Sequence, residues 1–288
     1  MKIGLIVNPI AGGGKAVNSI PQIQEKLGDI TELVITGKRG EAESNARKFS
    51  QDRFDMVAVA GGDGTLNEAA QALTGTDTAM IPLAFGNGSD FIKSVGNIEI
   101  AELPEAVKAA KTRKIDTVLV ELGQDKFHFI NIMELGFGAL VMKRFNERRR
   151  YSGDTSFTRQ ILREALRLRQ FPMEMVSDTF SYSGNLIEGI FANGKYFGRG
   201  LLAAPGASID DGLMEIHLIE GMGKAEFLMK LRKIKNGSYT TEPKVKNYTA
   251  KNIEVSTAGI PCEVDGEFMG YTPLRARVEP RSLKILQV

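Results

Sequence analysis

A change of period near Asp116 constrains the fold of this chain more than any other feature. Before it, short apolar runs rich in β-formers, Ile3–Val7, Leu33–Thr36, Met56–Ala60 and Ala79–Leu83, alternate with the helix-period segments Val17–Leu27, Ala42–Phe49, Leu66–Leu73 and Ala101–Lys111. Strands separated by helices pair in parallel, so this half is predicted to be an α/β domain. After Ile115 the texture becomes apolar–polar alternation, as in Val118–Leu122, Phe127–Ile132, Glu188–Ala192, Leu213–Ile219, Asn252–Ser256 and Leu274–Val278. Turn dipeptides punctuate it, Gly184-Asn185, Asn193-Gly194, Asp211-Gly212 and Asp265-Gly266, which predicts an antiparallel β-sandwich or barrel. Helices are expected in this half at about Phe157 to Gln170 and Ala225 to Lys235. The expected domains are residues 1–117 and 118–278, with 279–288 free to return to the first.

The 288 residues, 42% hydrophobic and 25% charged, are enough for two cores without staples. The single cysteine, Cys262, can form neither an internal disulfide nor a cysteine zinc cage, and it reads as a small apolar residue. His128 and His217 are too few for an all-histidine metal site and read as structural. The apolar run Ile3–Val7 is too short for a signal peptide, and no run nears the ~20 residues that span a bilayer, so a cytoplasmic protein is expected.

In a parallel sheet, ligands sit beyond the carboxyl ends of the strands. Three loops there are unusual. The first is Asn8-Pro9-Ile10-Ala11-Gly12-Gly13-Gly14-Lys15. It fails the Walker A pattern at Pro9 and Ala16, and Val17 denies it the dinucleotide fingerprint. It is either a flexible turn or, preferably, a backbone-amide cradle for phosphate. The second, Gly61-Gly62-Asp63-Gly64-Thr65, surrounds one carboxylate with glycines, a costly choice for a turn alone. A carboxylate beside a phosphate is repulsive unless it faces a divalent cation or a sugar hydroxyl. The third, Ala84 to Phe91, ends in Asp90, which is either a helix cap or part of a shared site.

The string G-G-D-G-T-L-N-E at Gly61–Glu68, with N-P-x-A-G at Asn8–Gly12 and Thr36 in T-G-K-R-G-E-A, resembles the diacylglycerol kinase catalytic domain family, and most closely its small soluble bacterial lipid kinases. The likeness runs on through Asp116, G-F-G at Gly136–Gly138, S-I-D-D-G-L at Ser208–Leu213, P-K-V at Pro243–Val245 and V-D-G-E at Val264–Glu267. It implies a Rossmann-like domain of the NAD kinase/phosphofructokinase kind joined to a lipid-binding β-sandwich. The implied activity is transfer of the γ-phosphate of ATP, with Mg²⁺, to a lipid hydroxyl of diacylglycerol-like, phosphatidylglycerol-like or sphingoid type. By the resemblance, Asn8, Pro9, Ile10, Ala11, Gly12, Thr36, Gly61, Gly62, Asp63, Gly64, Thr65, Leu66 and Asn67 bind ATP, with Asp63 linked to Mg²⁺. Asn87 and Asp90 complete that network. In the family the late hairpin faces the interdomain cleft, so Glu267 is the implied proton acceptor and Asp265 its neighbour. A second Mg²⁺ is implied at Asp211, with oxygens from Ser208 and Leu213.

The chain departs from the family pattern where Asn87 replaces a threonine and Ser89 an asparagine, and where Ala84 and Phe85 are additional. These departures motivate a second reading, a nucleotide- or lipid-binding regulator without turnover. A kinase acting on a soluble substrate such as NAD is the third. Lys143, Arg144, Arg148, Arg149, Arg150, Arg159, Arg163, Arg167 and Arg169 concentrate positive charge, with Arg159, Arg163 and Arg167 on one helical stripe and Ile161, Leu162, Ala165 and Leu168 on another. The stripe is either an ordinary solvated face or a contact for anionic membrane headgroups. Nucleic acid is not an expected partner, because no reader module accompanies the charges. A homodimer through sheet edges is left open.

Overall fold

The computed structural model describes residues 1–28, 30–86, 88–152 and 157–287. The chain divides into two compact units: Met1–Thr117 with Ile209–Gly212 and Glu279–Val288, and Val118–Ser208 with Leu213–Val278. The short excursion Ile209–Gly212 thus belongs to the first unit, although its sequence lies deep in the second half.

The first unit is built from β1 (Ile3–Val7), α1 (Lys15–Asn18), α2 (Ile20–Leu27), β2 (Ile30–Ile35), α3 (Glu41–Gln51), β3 (Met56–Gly61), α4 (Asp63–Leu73), β4 (Ala79–Ala84), α5 (Asp90–Val95) and α6 (Leu103–Ala109). β1 pairs in parallel with β2 and β3, and β3 pairs in parallel with β4. The chain's last strand adds itself beside β4, with Ile285 opposite Met80. β1 and β3 are buried along their whole length, as a sheet covered on both faces requires. The helix expected over Val17–Leu27 is two helices, because Pro21 in the first turn of α2 has no N–H with which to continue the preceding one.

The second unit takes over within β5 (Thr112–Leu122) and continues through β6 (Asp125–Phe129), β7 (Ile132–Gly136), α7 (Phe137–Ser152), α8 (Phe157–Leu166), β8 (Phe171–Ser177), β9 (Ser181–Ala192) and a two-stranded ribbon, β10 (Tyr196–Phe197) with β11 (Leu201–Leu202). Then come β12 (Met214–Glu220), α9 (Lys224–Leu231), β13 (Val245–Ala250), β14 (Asn252–Val255), β15 (Pro261–Val264), β16 (Glu267–Tyr271) and β17 (Leu274–Leu286), which ends in the first unit. The pairs β7–β9, β8–β9, β9–β12, β12–β13, β8–β14, β7–β15 and β15–β16 are all antiparallel. Phe129, Met133, Leu135, Phe191, Ile216 and Cys262 fill the sandwich core. A second cluster, including Phe137, Val141, Ala165 and Phe227, packs the helices of this unit.

Three expectations are corrected here. Gly184-Asn185 is not a turn but lies inside β9, held extended opposite Met173 and Pro172 of β8. The turn comes earlier, where Ser177 Oγ accepts the N–H groups of Thr179 and Phe180 at 3.1 and 2.8 Å. The run Phe127–Ile132 is broken between β6 and β7. Helix α7 was not expected, because its buried apolar positions, Phe137, Ala139 and Val141, lie in its first turns and a long charged run hides the rest of its period.

Candidate functional site

The parallel register sets Val7 opposite Ile35 and Ala60, and Ala60 opposite Leu83, so the chain leaves β1 to β4 at one edge of the first unit's sheet. The loops at that edge hold each other. Asn8 donates from Nδ2 to Thr65 Oγ1 at 2.9 Å and from its N–H to the Ala60 carbonyl at 2.9 Å, while its Oδ1 accepts the Ile10 N–H at 3.2 Å. Pro9 follows, Ile10 is exposed, and Ala11 opens a short 3₁₀ turn. Thr36, nearly buried, donates its N–H to the Val7 carbonyl at 2.9 Å.

Glycine is demanded by contact at three points in these loops, one of them Gly61, where a Cβ would stand 2.5 Å from the Thr65 Cβ. Gly12 has φ 61°, and a Cβ there would stand 2.5 Å from the Phe85 carbonyl; a Cβ on Gly86 would stand 2.8 Å from the Gly62 Cα. Phe85, additional to the family pattern, therefore braces the first loop. Gly64 is different. It lies in the first turn of α4, where glycine costs about 1 kcal/mol relative to alanine, yet a Cβ on it would meet nothing within 4 Å. Gly64 is exposed. Leu66 is wholly buried and its N–H is spent on the Gly62 carbonyl at 3.0 Å, so its part is packing. Asn67 Oδ1 accepts from Gln71 Nε2 at 3.2 Å. Gly61 closes β3, and its carbonyl accepts the Phe85 N–H at 2.8 Å.

Asp63 Oδ1 accepts the Phe91 N–H at 3.1 Å. Burial holds its carboxyl above the ordinary range, and the nearby Asp90 charge adds to the rise. Asp90 is nearly buried and meets Lys93 Nζ at 3.0 Å. Asn87 lies outside the described residues. Ser89 adopts φ 50° before α5 and donates from Oγ to the Gly86 carbonyl at 3.1 Å. A hard divalent cation would offset the mutual cost of the two acids, so Asp63 and Asp90 fit the Mg²⁺ that the resemblance implies. Among the described residues no group of three or more His, Cys, Asp or Glu forms a metal cage. A cation at either implied place would draw its other oxygens from main chain, water or substrate.

Asp116, fully buried, is a tie rather than a ligand. Its two oxygens accept the N–H groups of Gly212 and Arg281, each at 2.7 Å, and its own N–H goes to the Ile209 carbonyl at 2.7 Å. This binds Ile209–Gly212, and with it Asp211, to the first unit, whereas Ser208 and Leu213 belong to the second.

In the second unit, Asp265 (φ 46°) and Gly266 (φ 88°) turn the β15–β16 hairpin, both left-handed as a type I′ turn needs. Asp265 Oδ1 accepts the N–H groups of Ile132 at 2.8 Å and Asn131 at 3.2 Å, and Oδ2 accepts that of Ile130 at 3.0 Å. Both Asp265 oxygens are thus engaged by backbone N–H groups of the segment before β7. Half-buried Glu267 follows, with Asn146 Nδ2 of α7 at 3.4 Å from Oε2.

Beneath this hairpin lie acids that the sequence analysis missed. Glu263 accepts the Gly266 N–H at 2.8 Å and hydrogen-bonds Glu134. Glu188 Oε2 accepts the Gly138 N–H at 2.5 Å. Burial pushes the Glu134 carboxyl up to about 7 and holds those of Glu188 and Glu263 well above the usual range. The signal was a glutamate inside apolar strands, as in Ile132-Met133-Glu134-Leu135. Glu134 and Glu188 also line a cavity of about 480 Å³, walled by Phe137, Val141, Ile161, Phe227, Leu231 and Val245.

The basic stretch is rearranged. Arg144 pairs with buried Glu164, and Lys143 reaches Tyr271 OH at 2.9 Å. The side chains of Arg148, Arg149 and Arg150 lie outside the described residues. On α8 the expected apolar stripe is displaced. Gln160 and Glu164 are buried, while Leu162 and Leu166, 52% and 67% exposed, share the surface with Arg159 and Arg167. His217 is buried, with Nδ1 2.7 Å from Asn247 Oδ1 in a hydrogen bond and Nε2 3.0 Å from Glu215 Oε1 without one. Among the described residues no helix is long and apolar enough to cross a membrane.

Two family models match the chain: the diacylglycerol kinase catalytic domain over residues 2–120 and the YegS C-terminal NAD kinase beta sandwich-like domain over 131–287. A diacylglycerol kinase of Mycobacterium tuberculosis is 29% identical over 99% of this chain and 95% of its own length. A crystal structure of a diacylglycerol kinase from Bacillus anthracis str. Sterne superposes with TM-score 0.73 at 19% identity, over 100% of this chain and 97% of its own. An NAD kinase from Archaeoglobus fulgidus in complex with ATP gives TM-score 0.53 at 15% identity, over 100% and 94%. Identities this low in solved structures speak for the fold alone.

Proposed function

The chain belongs to the diacylglycerol kinase family, with a YegS-type carboxy-terminal domain, and from that premise we propose that it transfers the γ-phosphoryl group of ATP to a lipid hydroxyl, with Mg²⁺. It is a lipid kinase. The observation that carries the nucleotide assignment is the mutual contact of the glycine loops at neighbouring strand ends, with Asp63 among them.

The loops Asn8–Gly12 and Gly61–Thr65 hold the phosphates at the N-terminal end of α4, as expected of glycine loops ahead of a helix N-terminus. Thr36 and Asn67 add polar contacts to the nucleotide, and Asn87 is assigned with them from sequence. Asp63 and Asp90 would hold Mg²⁺, which when bound neutralises charge on the transferring phosphoryl group. Asp211, with oxygens of Ser208 and Leu213, is assigned a second, structural cation. Glu267 accepts the proton of the alcohol as its oxygen bonds to phosphorus and the bond to ADP breaks. General-base help of this kind contributes roughly 10²–10⁴ in rate. Asp265 holds the hairpin that carries Glu267. The apolar cavity receives the lipid chain, and the exposed leucines and arginines of α8 meet an anionic membrane surface from the cytoplasmic side.

The test is mass spectrometry of a membrane lipid extract before and after incubation with the protein, ATP and Mg²⁺. A lipid that gains one phosphate supports the assignment. Phosphorylation of NAD with no lipid product, or nucleotide binding without transfer to any lipid, overturns it.

A further inference from the structure

The cavity of the second unit is apolar except where two acids enter its wall. Glu134 is 4% exposed and Glu188 is 3% exposed, and both line the cavity. Their surroundings are built for them. Gly138 leaves the room that the Glu134 carboxyl fills, since a Cβ on it would stand 2.5 Å from Glu134 Oε1, and the Gly138 N–H is the donor to Glu188 Oε2. This gives the G-F-G segment at Gly136–Gly138 a purpose within this unit. Glu134 is satisfied through Glu263. Glu188 has the backbone N–H groups of Gly138 and Phe137 as donors, yet its Oε1 is buried and has no hydrogen-bond partner. A buried carboxyl oxygen without a partner keeps its full desolvation cost, so a ligand that brings a donor to it gains what an alkyl chain cannot.

We propose that Glu188, backed by Glu134, is the specificity element of this cavity and selects a long-chain ligand carrying a hydrogen-bond donor, a hydroxyl or an amine, over one that is alkyl or ether throughout. The inference rests on the reading of the cavity as a lipid site and names what that site recognises. Hydroxyl and amine share the donor chemistry, and the two differ in charge. Oε2 already accepts the Gly138 N–H, so a ligand donor at Oε1 meets the ionised carboxylate, the form burial disfavours; an ammonium offsets that cost more than a hydroxyl does.

The experiment compares three probes matched in chain length, 1-dodecanol, dodecylamine and methyl dodecyl ether, by displacement of a fluorescent apolar dye from the intact protein. The expected result is that dodecanol or dodecylamine binds about tenfold tighter than the ether, the size of one buried hydrogen bond. In Glu188→Leu the ether keeps its affinity and the preference disappears. Should Glu188→Leu fold poorly, Glu188→Gln serves: it keeps an amide that bonds the alcohol and loses any advantage of the amine. Equal binding of all three probes by the unaltered protein, or a preference that survives Glu188→Leu, overturns the inference. The assay involves no phosphate transfer. Donor selectivity without kinase activity would sink the kinase reading alone, and kinase activity without donor selectivity would sink this one alone.

Discussion

The carboxylate of Asp265 lies 2.8 Å from the backbone nitrogen of Ile132, and its other two bonds, to Asn131 and Ile130, tie the β15–β16 hairpin to the turn before β7. Those three bonds make Asp265 a brace of the hairpin, a role separable by experiment from the proton acceptance proposed for Glu267 two residues further on. The difference is measurable. Asp265→Ala should cost on the order of 3 kcal/mol of stability in denaturant unfolding, because three buried N–H groups lose a charged acceptor. Glu267→Gln should leave the unfolding midpoint unchanged and lower kcat about 10²- to 10⁴-fold. Equal stability losses in the two variants would refute the division of roles.

The two kinds of glycine in the phosphate loops separate in the same way. Gly12→Ala forces a Cβ against the Phe85 carbonyl at a left-handed φ, so it should unfold at lower temperature as well as bind ATP poorly. Gly64→Ala should fold as well as the parent or slightly better, since alanine favours the helix, and should raise the KM for ATP about tenfold. An unchanged KM would mean that nothing occupies the room beside Gly64.

The buried acids make stability depend on pH in an unusual direction. Glu134 is held at about 7 against an ordinary 4.5, with Glu188 and Glu263 higher than ordinary as well, each chiefly by burial. The folded chain keeps these protons while the unfolded chain releases them. The contribution of Glu134 is therefore complete below about pH 4.5 and is lost as pH rises through about 7, and those of Glu188 and Glu263 are likewise lost as pH rises. Melting temperature should fall on the order of 5 °C between pH 5 and pH 8. Glu134→Gln should flatten that slope, and calorimetry across the range checks it.

Helix α8 presents Leu162 and Leu166 to the outside beside Arg159 and Arg167. Replacing both leucines, Leu162→Glu with Leu166→Glu, removes apolar contact and sets negative charge toward an anionic surface. Co-sedimentation with phosphatidylglycerol vesicles should drop about tenfold or more, with no change in melting temperature. Retained sedimentation would locate any membrane contact elsewhere.

Period and turn chemistry carried much of the architecture in the chain itself. Strands β1, β3 and β4 are apolar runs whose ends were readable to within a residue, because a strand buried on both faces must be apolar throughout. The Asp265-Gly266 turn was equally legible, because both residues accept a positive φ at low cost. The glycine loops, with Asp63 and Asp90, stood out because glycine at such density is expensive unless something must come close. Tertiary structure alone decided the rest. Gly184-Asn185 stays extended because β8 supplies its ladder, and Asp116 gathers Gly212 and Arg281 into the first unit through bonds spanning 96 and 165 residues of sequence. The inward turn of Glu134, Glu188, Glu263 and Glu164 and the outward turn of Leu162 and Leu166 invert what hydropathy expects. Local pattern reports which residues prefer burial, whereas the partners that make a buried acid tolerable come from distant segments and exist only once the chain has folded.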